Sequence, residues 1–349
     1  MKKSDGKSRW KKYFAIFMAL VTAMAMTACG NGKAAAAEQT GESAGSETDT
    51  GFPEVIKIGY QPVANDMMIA IVEGLLENLG YPYELVEFSS GKDLNNALAA
   101  GSVDCGYMGT VPMVSGLASG LEYEVFWIDG IITECESLVV KEGISEVADL
   151  EGKTVGVVNG STSHYSLVSA LAEAGVAEDS VHILGGGTTE IVAMWDRGDI
   201  DAAYIWQPSL EAMIDQGGTV IFDGNDSERI GATTAVLHVV NKPFAEQYPK
   251  AVSALTEVLA SAQEVYAQDT EKVVADVAER LEMDTEMCRT SIEGYRWISK
   301  EEQGQSGYLG GDFAEVLKKT ADFLLSQESI SEMPEDSVFE EAVTADFVK

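Results

Sequence analysis

Hydroxyl side chains and a glycine fill the junction between an apolar segment and an amphipathic segment in the middle of the chain. Residues 160–165 read GSTSHY, after the apolar run 154–158 and before a helical pattern at 167–172. At such a strand-to-helix junction, free backbone N–H groups and the positive end of the helix dipole point outward and can bind an anion. Ser161 or Thr162 can equally serve as an ordinary N-cap, and the local sequence leaves both interpretations open.

Side chains suited to other chemistries lack the spacing that those chemistries need. The histidines, His164, His182 and His238, have no metal-ligand spacing, and the motifs H-E-x-x-H and G-x-S-x-G do not occur. Carboxylates are abundant, so a catalytic pair is not excluded, but no spacing singles one out. The sequence therefore predicts no catalytic residue, no metal and no cofactor, and we expect that the protein is not an enzyme.

Cysteine usage points away from a disulfide framework. One cysteine, Cys29, lies near the N-terminus, and Cys105, Cys135 and Cys288 lie in the body of the chain. The body has an odd number of cysteines and no CxxC pair, which argues against both a zinc site and a set of disulfides. A Cys105–Cys135 bridge is an alternative, but we favour buried free thiols.

Alternating strand and helix patterns surround the hydroxyl-rich junction. Strand-like runs lie at 55–61, 83–88, 103–109, 124–127, 154–158, 181–184, 201–206 and 233–240, with helical patterns between them and at 243–280 and 313–325. This order predicts mostly parallel α/β sheets with ligands at the carboxyl ends of the strands. Roughly 300 residues exceed one usual core. We therefore expect two lobes, one from residues 54–140 and 233–349, the other from 141–232.

The N-terminal segment has the composition of an export signal. A basic start is followed by an apolar stretch at 13–26 that is short for a membrane span, and then by Cys29. This arrangement resembles a lipoprotein signal, in which the cysteine is lipidated; a plain signal peptide is the alternative. Residues 30–53 are rich in Ala, Gly, Ser, Thr and Glu and predict a flexible tether. We expect the protein on the outer face of a bacterial cytoplasmic membrane.

The chain is strongly acidic, with a formal net charge of −34. Removing residues 1–28 would take away six basic residues and one acid, leaving a net charge near −39. Such a charge argues against nucleic acid as a partner, because phosphate neutralisation needs the opposite sign. It also argues against docking on anionic lipid without the anchor. The acidity fits an exported protein that stays in solution beside the membrane.

Three segments, taken in order, resemble one protein family. Residues 136–141 (ESLVVK), 161–167 (STSHYSL) and 195–206 (WDRGDIDAAYIW) are similar to the corresponding stretches of the taurine-binding members of the nitrate/sulfonate/taurine group of ABC-transporter substrate-binding proteins. The similarity runs in register from about residue 56 to the C-terminus. The family implies two α/β lobes joined by two crossing strands. It also implies a monomer that closes on a small sulfonate and delivers it to ABC permease subunits.

The resemblance also implies a set of ligand-binding residues. Ser161, Thr162 and the backbone amides after them would hold the sulfonate, with His164 and Tyr165 on the same wall. The remaining positions carried over from the family are Gln61 and Thr110 in first-lobe loops, Glu136 near an amino group of the ligand, and Trp206 beside the crossing.

One position departs from the family pattern. Where the taurine binders carry an Asp that meets the ligand ammonium, this chain has Val236. A buried ammonium without a carboxylate would be unfavourable by several kcal/mol. Either Glu136 fills that role alone, or the ligand lacks the amine. The alternatives are a protein of the same fold that binds nitrate, a thiamin-pyrimidine precursor or an aromatic acid, and an enzyme of pyrimidine-precursor synthesis. The export signal argues against the enzyme.

Overall fold

The computed structural model describes residues 52–349. The predicted signal segment with Cys29, and the predicted tether up to residue 51, lie outside the described residues. Within 52–349, no helix combines the length and the apolar character needed to cross a membrane.

The described chain alternates strands and helices, as the sequence predicts. The strands are β1 (Ile56–Tyr60), β2 (Tyr83–Glu87), β3 (Cys105–Gly109), β4 (Tyr123–Ile132), β5 (Glu136–Val140), β6 (Thr154–Val157), β7 (His182–Gly185), β8 (Ala202–Trp206), β9 (Thr219–Asp223), β10 (Ala235–Asn241) and β11 (Tyr295–Trp297). The helices are α1 (Asp66–Val72), α2 (Gly91–Ala99), α3 (Thr110–Ala118), α4 (Thr162–Glu173), α5 (Thr188–Arg197), α6 (Ser209–Ile214), α7 (Gly224–Arg229), α8 (Lys242–Gln247), α9 (Pro249–Gln268), α10 (Thr270–Leu281), α11 (Thr285–Glu293), α12 (Lys300–Gln303), α13 (Phe313–Ser326) and α14 (Asp336–Ala342).

Two sheets define the two lobes. The first has the order β11-β4-β10-β3-β1-β2, and the second has the order β7-β6-β8-β5-β9. In each sheet the strands that begin βαβ units are parallel, and the strands next to the crossings, β5 and β10, pair antiparallel with their neighbours. The chain passes between lobes twice, from β4 to β5 and from β9 to β10. The predicted α/β fold with two crossings is confirmed.

The first crossing lies earlier in the chain than the sequence suggested. The prediction placed residues up to 140 in the first lobe, but β5 (Glu136–Val140) pairs with β8 and β9 in the second sheet. The reason is that the apolar run continues across the crossing, so composition does not mark where the chain changes sheets. As a result, Glu136 belongs to the second lobe.

The segment after β1 is not one continuous helix. The pattern at 67–79 predicts a single helix, whereas α1 ends at Val72 and a 3₁₀ turn follows at Leu75–Leu79. Gly74 between them has φ +67°, a left-handed conformation that glycine adopts without steric cost. The glycine therefore allows the chain to leave α1 and begin the 3₁₀ turn.

Alternation along the strands builds two apolar layers in the second lobe. In β5 and β8, Leu138 and Tyr204 pack into one cluster, while Val139 and Ile205 pack into another. Successive side chains of a strand point to opposite faces, so both faces of this sheet are buried. This burial on both faces holds the strands in place, and the strands in turn position the loops at their carboxyl ends.

Candidate functional site

A cavity of about 140 Å³ lies between the two lobes. Four of its lining residues stand at or directly after the carboxyl ends of strands: Gln61 after β1, Gly109 at the end of β3, Val158 after β6 and Trp206 at the end of β8. Open α/β sheets place ligands at this edge. The volume suits a ligand of a few non-hydrogen atoms better than a large one.

Three helices start at the cavity wall. Their N-caps are Ser90 for α2, Gly109 for α3 and Ser161 for α4, and all three residues line the cavity. The first N–H groups of a helix have no partner within the helix, and the helix dipole makes this end positive. Three such ends around one small space favour an anion.

The lobes touch each other at two of these helix starts. A Cβ added to Gly109 would lie 2.8 Å from the Cγ2 of Thr162, closer than non-bonded carbon atoms allow. Gly109 belongs to the first lobe and Thr162 to the second. Glycine at position 109 therefore permits the close approach of the lobes that encloses the cavity.

Glu136 supplies a buried carboxyl group to the cavity. It is 3% exposed, and its Oε2 accepts a 2.7 Å hydrogen bond from the hydroxyl of Thr162. Its Oε1 has no hydrogen-bond partner among residues 52–349. Burial raises the pKa of Glu136 to about 7, although the hydroxyls of Thr162 and Ser163 both lower it. Near neutral pH this group can therefore either accept from a cation or donate its own proton.

Gln61 is fixed by Tyr107. The side-chain amide of Gln61 donates to the Tyr107 carbonyl oxygen at 3.1 Å, and its backbone N–H donates to the Tyr107 hydroxyl at 3.0 Å. The Tyr107 hydroxyl in turn donates to the Gln61 carbonyl oxygen. These bonds hold the β1 loop against β3, so Gln61 occupies a defined place on the wall.

The structure brings five of the eight residues predicted for ligand binding to the cavity wall. These residues are Gln61, Glu136, Ser161, Thr162 and Trp206. Their contact with a ligand stays a prediction. That prediction requires the five residues to lie around one cavity, and they do.

The other three predicted residues lie elsewhere. Thr110 is fully buried and does not line the cavity. His164 and Tyr165 contact Phe323 of α13, with ring centroids 5.4 Å and 4.9 Å apart. Both side chains pack against α13, and neither residue is among the described residues that line the cavity. A shared motif in sequence does not place all its side chains on one wall.

Six polar or reactive side chains line the cavity beyond those predicted from the sequence: Ser90, Lys92, Tyr107, Cys135, Asn159 and Tyr295. Lys92, in the first turn of α2, is the only base among the described lining residues, and Glu136 is the only carboxylic acid. Cys135 also lines the cavity, and burial together with the Glu136 charge raises the pKa of its thiol, so it is not a thiolate nucleophile. The sequence does hold a signal for Lys92, because residues 89–92 read SSGK and form a turn between a strand and the start of a helix.

A buried cluster of titratable groups lies in the first lobe, outside the cavity lining. Asp66, Asp129 and His238 present nitrogen and oxygen atoms within 4.8 Å of one another. Asp66 already accepts hydrogen bonds from Trp127 at 2.8 Å and is paired with His238 at 3.0 Å. The cluster ties α1 to the two strands that lead to the crossings. Because its members come from three distant segments, no spacing in the sequence announces it.

Known proteins are similar to this chain in sequence. A model of the substrate-binding domain of the ABC-type glycine betaine transport system matches residues 54–281. The chain is 30% identical over 305 residues to the taurine-binding periplasmic protein of Escherichia coli (strain K12), covering 84% of this chain and 92% of that protein. It is 29% identical to a putative aliphatic sulfonates-binding protein of the same organism, over 66% of this chain and 72% of the relative.

Solved structures share its fold. The periplasmic aliphatic sulphonate-binding protein of E. coli matches with a TM-score of 0.72 at 23% identity, covering 85% of this chain and 99% of that chain. The two relatives in sequence are described as binding proteins, whereas a desulfurization enzyme shares the fold with a TM-score of 0.60 at 16% identity. Both the sequence match and the fold agree with the family predicted from the three ordered motifs. The chain belongs to the family of ABC-transporter substrate-binding domains typified by that of the glycine betaine system.

Proposed function

We propose that this protein captures taurine or a related small aliphatic sulfonate between its lobes and delivers it to the permease of an ABC importer. The convergence of three helix starts on one small inter-lobe cavity carries this proposal. A sulfonate offers three oxygens and one negative charge, which match several N–H donors from different directions. The names of the relatives support the same ligand class.

The acidic surface does not conflict with an anionic ligand. N–H donors act within hydrogen-bond distance of the ligand, whereas salt screens surface carboxylates that lie more than about 8–10 Å away. The cavity wall itself carries one carboxyl group among the described lining residues, and that group is uncharged in part near pH 7. The N–H donors at the cavity, and not the surface carboxylates, therefore determine which ligand charge the site favours.

The export signal supports an extracytoplasmic site of action. We propose that Cys29 is lipidated and that residues 30–53 tether a monomeric binding protein to the outer face of the cytoplasmic membrane, beside its permease. Mass spectrometry of the protein purified from a bacterial membrane tests this. A mature N-terminus at Cys29 with attached acyl chains is expected, and cleavage at another residue would contradict the anchor.

A thermal-shift screen tests the ligand class. We expect stabilisation by taurine, isethionate or short alkanesulfonates, and little by sulfate, nitrate or a thiamin-pyrimidine precursor. A ligand at 100 times its Kd adds about 2.7 kcal/mol of stability, which a thermal shift resolves. If no sulfonate raises the melting temperature and nitrate or the pyrimidine does, the alternative ligand class is correct.

A further inference from the structure

Glu136 lies directly beside the start of α4. Its Oε2 accepts a 2.7 Å hydrogen bond from the hydroxyl of Thr162, which is the first residue of that helix. Glu136, Thr162 and the N-cap residue Ser161 all line the cavity. The free N–H groups of such a helix start are where the proposed function places the sulfonate. A sulfonate bound there would therefore be an immediate neighbour of the Glu136 carboxyl group.

An ionised Glu136 would oppose an anionic ligand at this helix start. Two neighbouring negative charges repel, and the repulsion is strong in a buried site because little water screens it. The ionisation of Glu136 responds to its burial and to the hydroxyls of Thr162 and Ser163, and no cationic side chain of the described residues offsets its charge. Neutralisation must therefore come from a proton or from the ligand itself.

The Oε1 atom of Glu136 is the place for that proton. It is buried and has no hydrogen-bond partner among residues 52–349. A buried oxygen without a partner is unfavourable. When Oε1 carries a proton it becomes a donor, and a sulfonate oxygen beside it is an acceptor, while Oε2 keeps its bond from Thr162. The neutral acid and the sulfonate therefore satisfy each other.

We propose that Glu136 binds the sulfonate as a neutral carboxylic acid, with Oε1–H donating to a sulfonate oxygen, so that capture takes up a proton from the solvent wherever Glu136 is ionised in the free protein. The proposal rests on the proposed function and places Glu136 at the sulfonate instead of at an amino group. Burial raises the pKa of Glu136 to about 7, which supports it. At neutral pH about half of the free protein then already holds the neutral acid.

Other ionisable groups near Glu136 do not explain a pH dependence of binding around neutrality. On the elements around it these groups are Cys135 beside it in the chain, His164 on α4, Tyr204 on β8, Asp223 on β9, Tyr295 on β11 and Lys92 on α2. Burial raises the pKa values of the thiol and of the two tyrosines and lowers that of the histidine, so these four groups are largely uncharged between pH 6.5 and pH 8.5. Aspartate and lysine ordinarily titrate outside this range.

Titration calorimetry with ethanesulfonate at pH 6.5 and pH 8.5 tests the inference. This probe has no group that titrates in that range, so any pH dependence of its affinity belongs to the protein. Each titration is run in two buffers of different ionisation enthalpy, because the difference in heat measures the protons taken up. The mature protein is compared with Glu136→Gln and with Glu134→Gln. Glu134 is the matched control because it is exposed and lies two residues earlier.

We expect the affinity of the parent to be at least about tenfold lower at pH 8.5 than at pH 6.5, because the fraction of neutral Glu136 falls by more than that. Close to one proton should be taken up per ligand at pH 8.5. In Glu136→Gln the amide replaces the acid as donor, so its affinity should stay within about threefold of the parent's pH 6.5 value at both pH values, without proton uptake. Glu134→Gln should follow the parent.

Two results would overturn the inference while leaving sulfonate capture in place. One is an affinity of the parent that does not fall with pH, a measurement that does not depend on the folding of any variant. The other is a pH dependence that Glu136→Gln retains, which would assign it to another group, such as the buried Asp129 of the first lobe, whose pKa burial also raises.

Taurine, as a second probe, separates the inference from the proposed function. If taurine binds and ethanesulfonate does not, ionised Glu136 pairs with the ligand's ammonium and the inference is wrong. If neither probe binds at either pH, the inference and the proposed function are both wrong.

Discussion

At the scale of single residues, Glu136 is the group whose ionisation the cavity controls most directly. It is buried, its Oε2 accepts a hydrogen bond from Thr162, and its Oε1 has no hydrogen-bond partner within residues 52–349. Burying a carboxyl group in this setting costs little free energy when the group is protonated and much more when it is ionised. The protonation of Glu136 therefore makes the stability of the second lobe depend on pH. It also decides whether Glu136 presents a hydrogen-bond donor or only acceptors to the ligand.

We predict that Glu136→Gln stabilises the ligand-free protein above neutral pH. The pKa of Glu136 is raised from its ordinary value of 4.5 to about 7. Its favourable contribution to folding stability is therefore fully present below pH 4.5 and is lost as the pH rises through 7. Glutamine keeps an oxygen for the Thr162 hydroxyl but does not ionise. Between pH 5 and pH 8 the free energy of unfolding of the variant should rise relative to that of the parent, by no more than about 3 kcal/mol.

Denaturant unfolding at pH 5, 6, 7 and 8 measures this gain. Glu134→Gln, two residues earlier and exposed, is the matched control and should follow the parent at every pH. If the curves of Glu136→Gln and the parent stay parallel across the range, Glu136 does not change its ionisation there.

At the scale of elements, the starts of α3 and α4 must approach closely for the cavity to be enclosed. The absence of a side chain at Gly109 permits this approach, and its φ of −68° shows that glycine is not needed there for backbone conformation. Space, and not strain, is therefore the reason for glycine at this position.

We predict that Gly109→Ala weakens ligand binding by about tenfold without unfolding either lobe. The added methyl group would lie 2.8 Å from Thr162 Cγ2, so the lobes must separate by several tenths of an ångström. Each helix would still form, because alanine adopts the same backbone angles. Calorimetric affinity and thermal unfolding, measured on the same samples, separate the two effects.

Gly187→Ala is the control for this substitution. Gly187 is likewise the N-cap of a helix, α5, with φ −72°, but an added Cβ would meet nothing within 4 Å. It should bind as the parent does. Equal affinities for Gly109→Ala and Gly187→Ala would mean that the contact with Thr162 is not part of the bound conformation.

Particular elements show how far the sequence predicts the site. The strand ends and the N-cap at Ser161 follow from local patterns, because apolar runs and hydroxyl residues at helix starts have direct backbone causes. The lobe of β5 and the orientation of His164 depend on tertiary pairing, which local patterns do not record. Lys92 lines the cavity because two lobes meet there, and this location appears only in the folded chain.

At the scale of the whole molecule, α13 connects the first lobe to the second outside the cavity. The α13 helix packs on α3 of the first lobe. It also reaches the second lobe, where Phe323 contacts His164 and Tyr165 and where Gln327, directly after the helix, donates to Glu178 at 2.9 Å. These contacts bridge the two lobes. They therefore contribute to the stability of the closed arrangement.

We predict that Phe323→Ala lowers the apparent affinity for the ligand although Phe323 does not touch the cavity. Loss of the two aromatic contacts makes the closed arrangement less populated, and apparent affinity falls in proportion to that population. A decrease of about tenfold corresponds to about 1.4 kcal/mol of closure energy, within the range of two aromatic pairs. Calorimetry gives the affinity, and small-angle X-ray scattering of the ligand-free protein should show a larger radius of gyration.

Leu325→Ala provides the comparison for Phe323→Ala. Leu325 lies two residues further along α13 and is 38% exposed, so its truncation changes the same helix without removing a contact with α4. It should leave both the affinity and the radius of gyration unchanged. If Phe323→Ala lowers the melting temperature but keeps the parental affinity and radius, Phe323 acts only in the core of the first lobe. In that case closure would depend on the helix starts at the cavity alone.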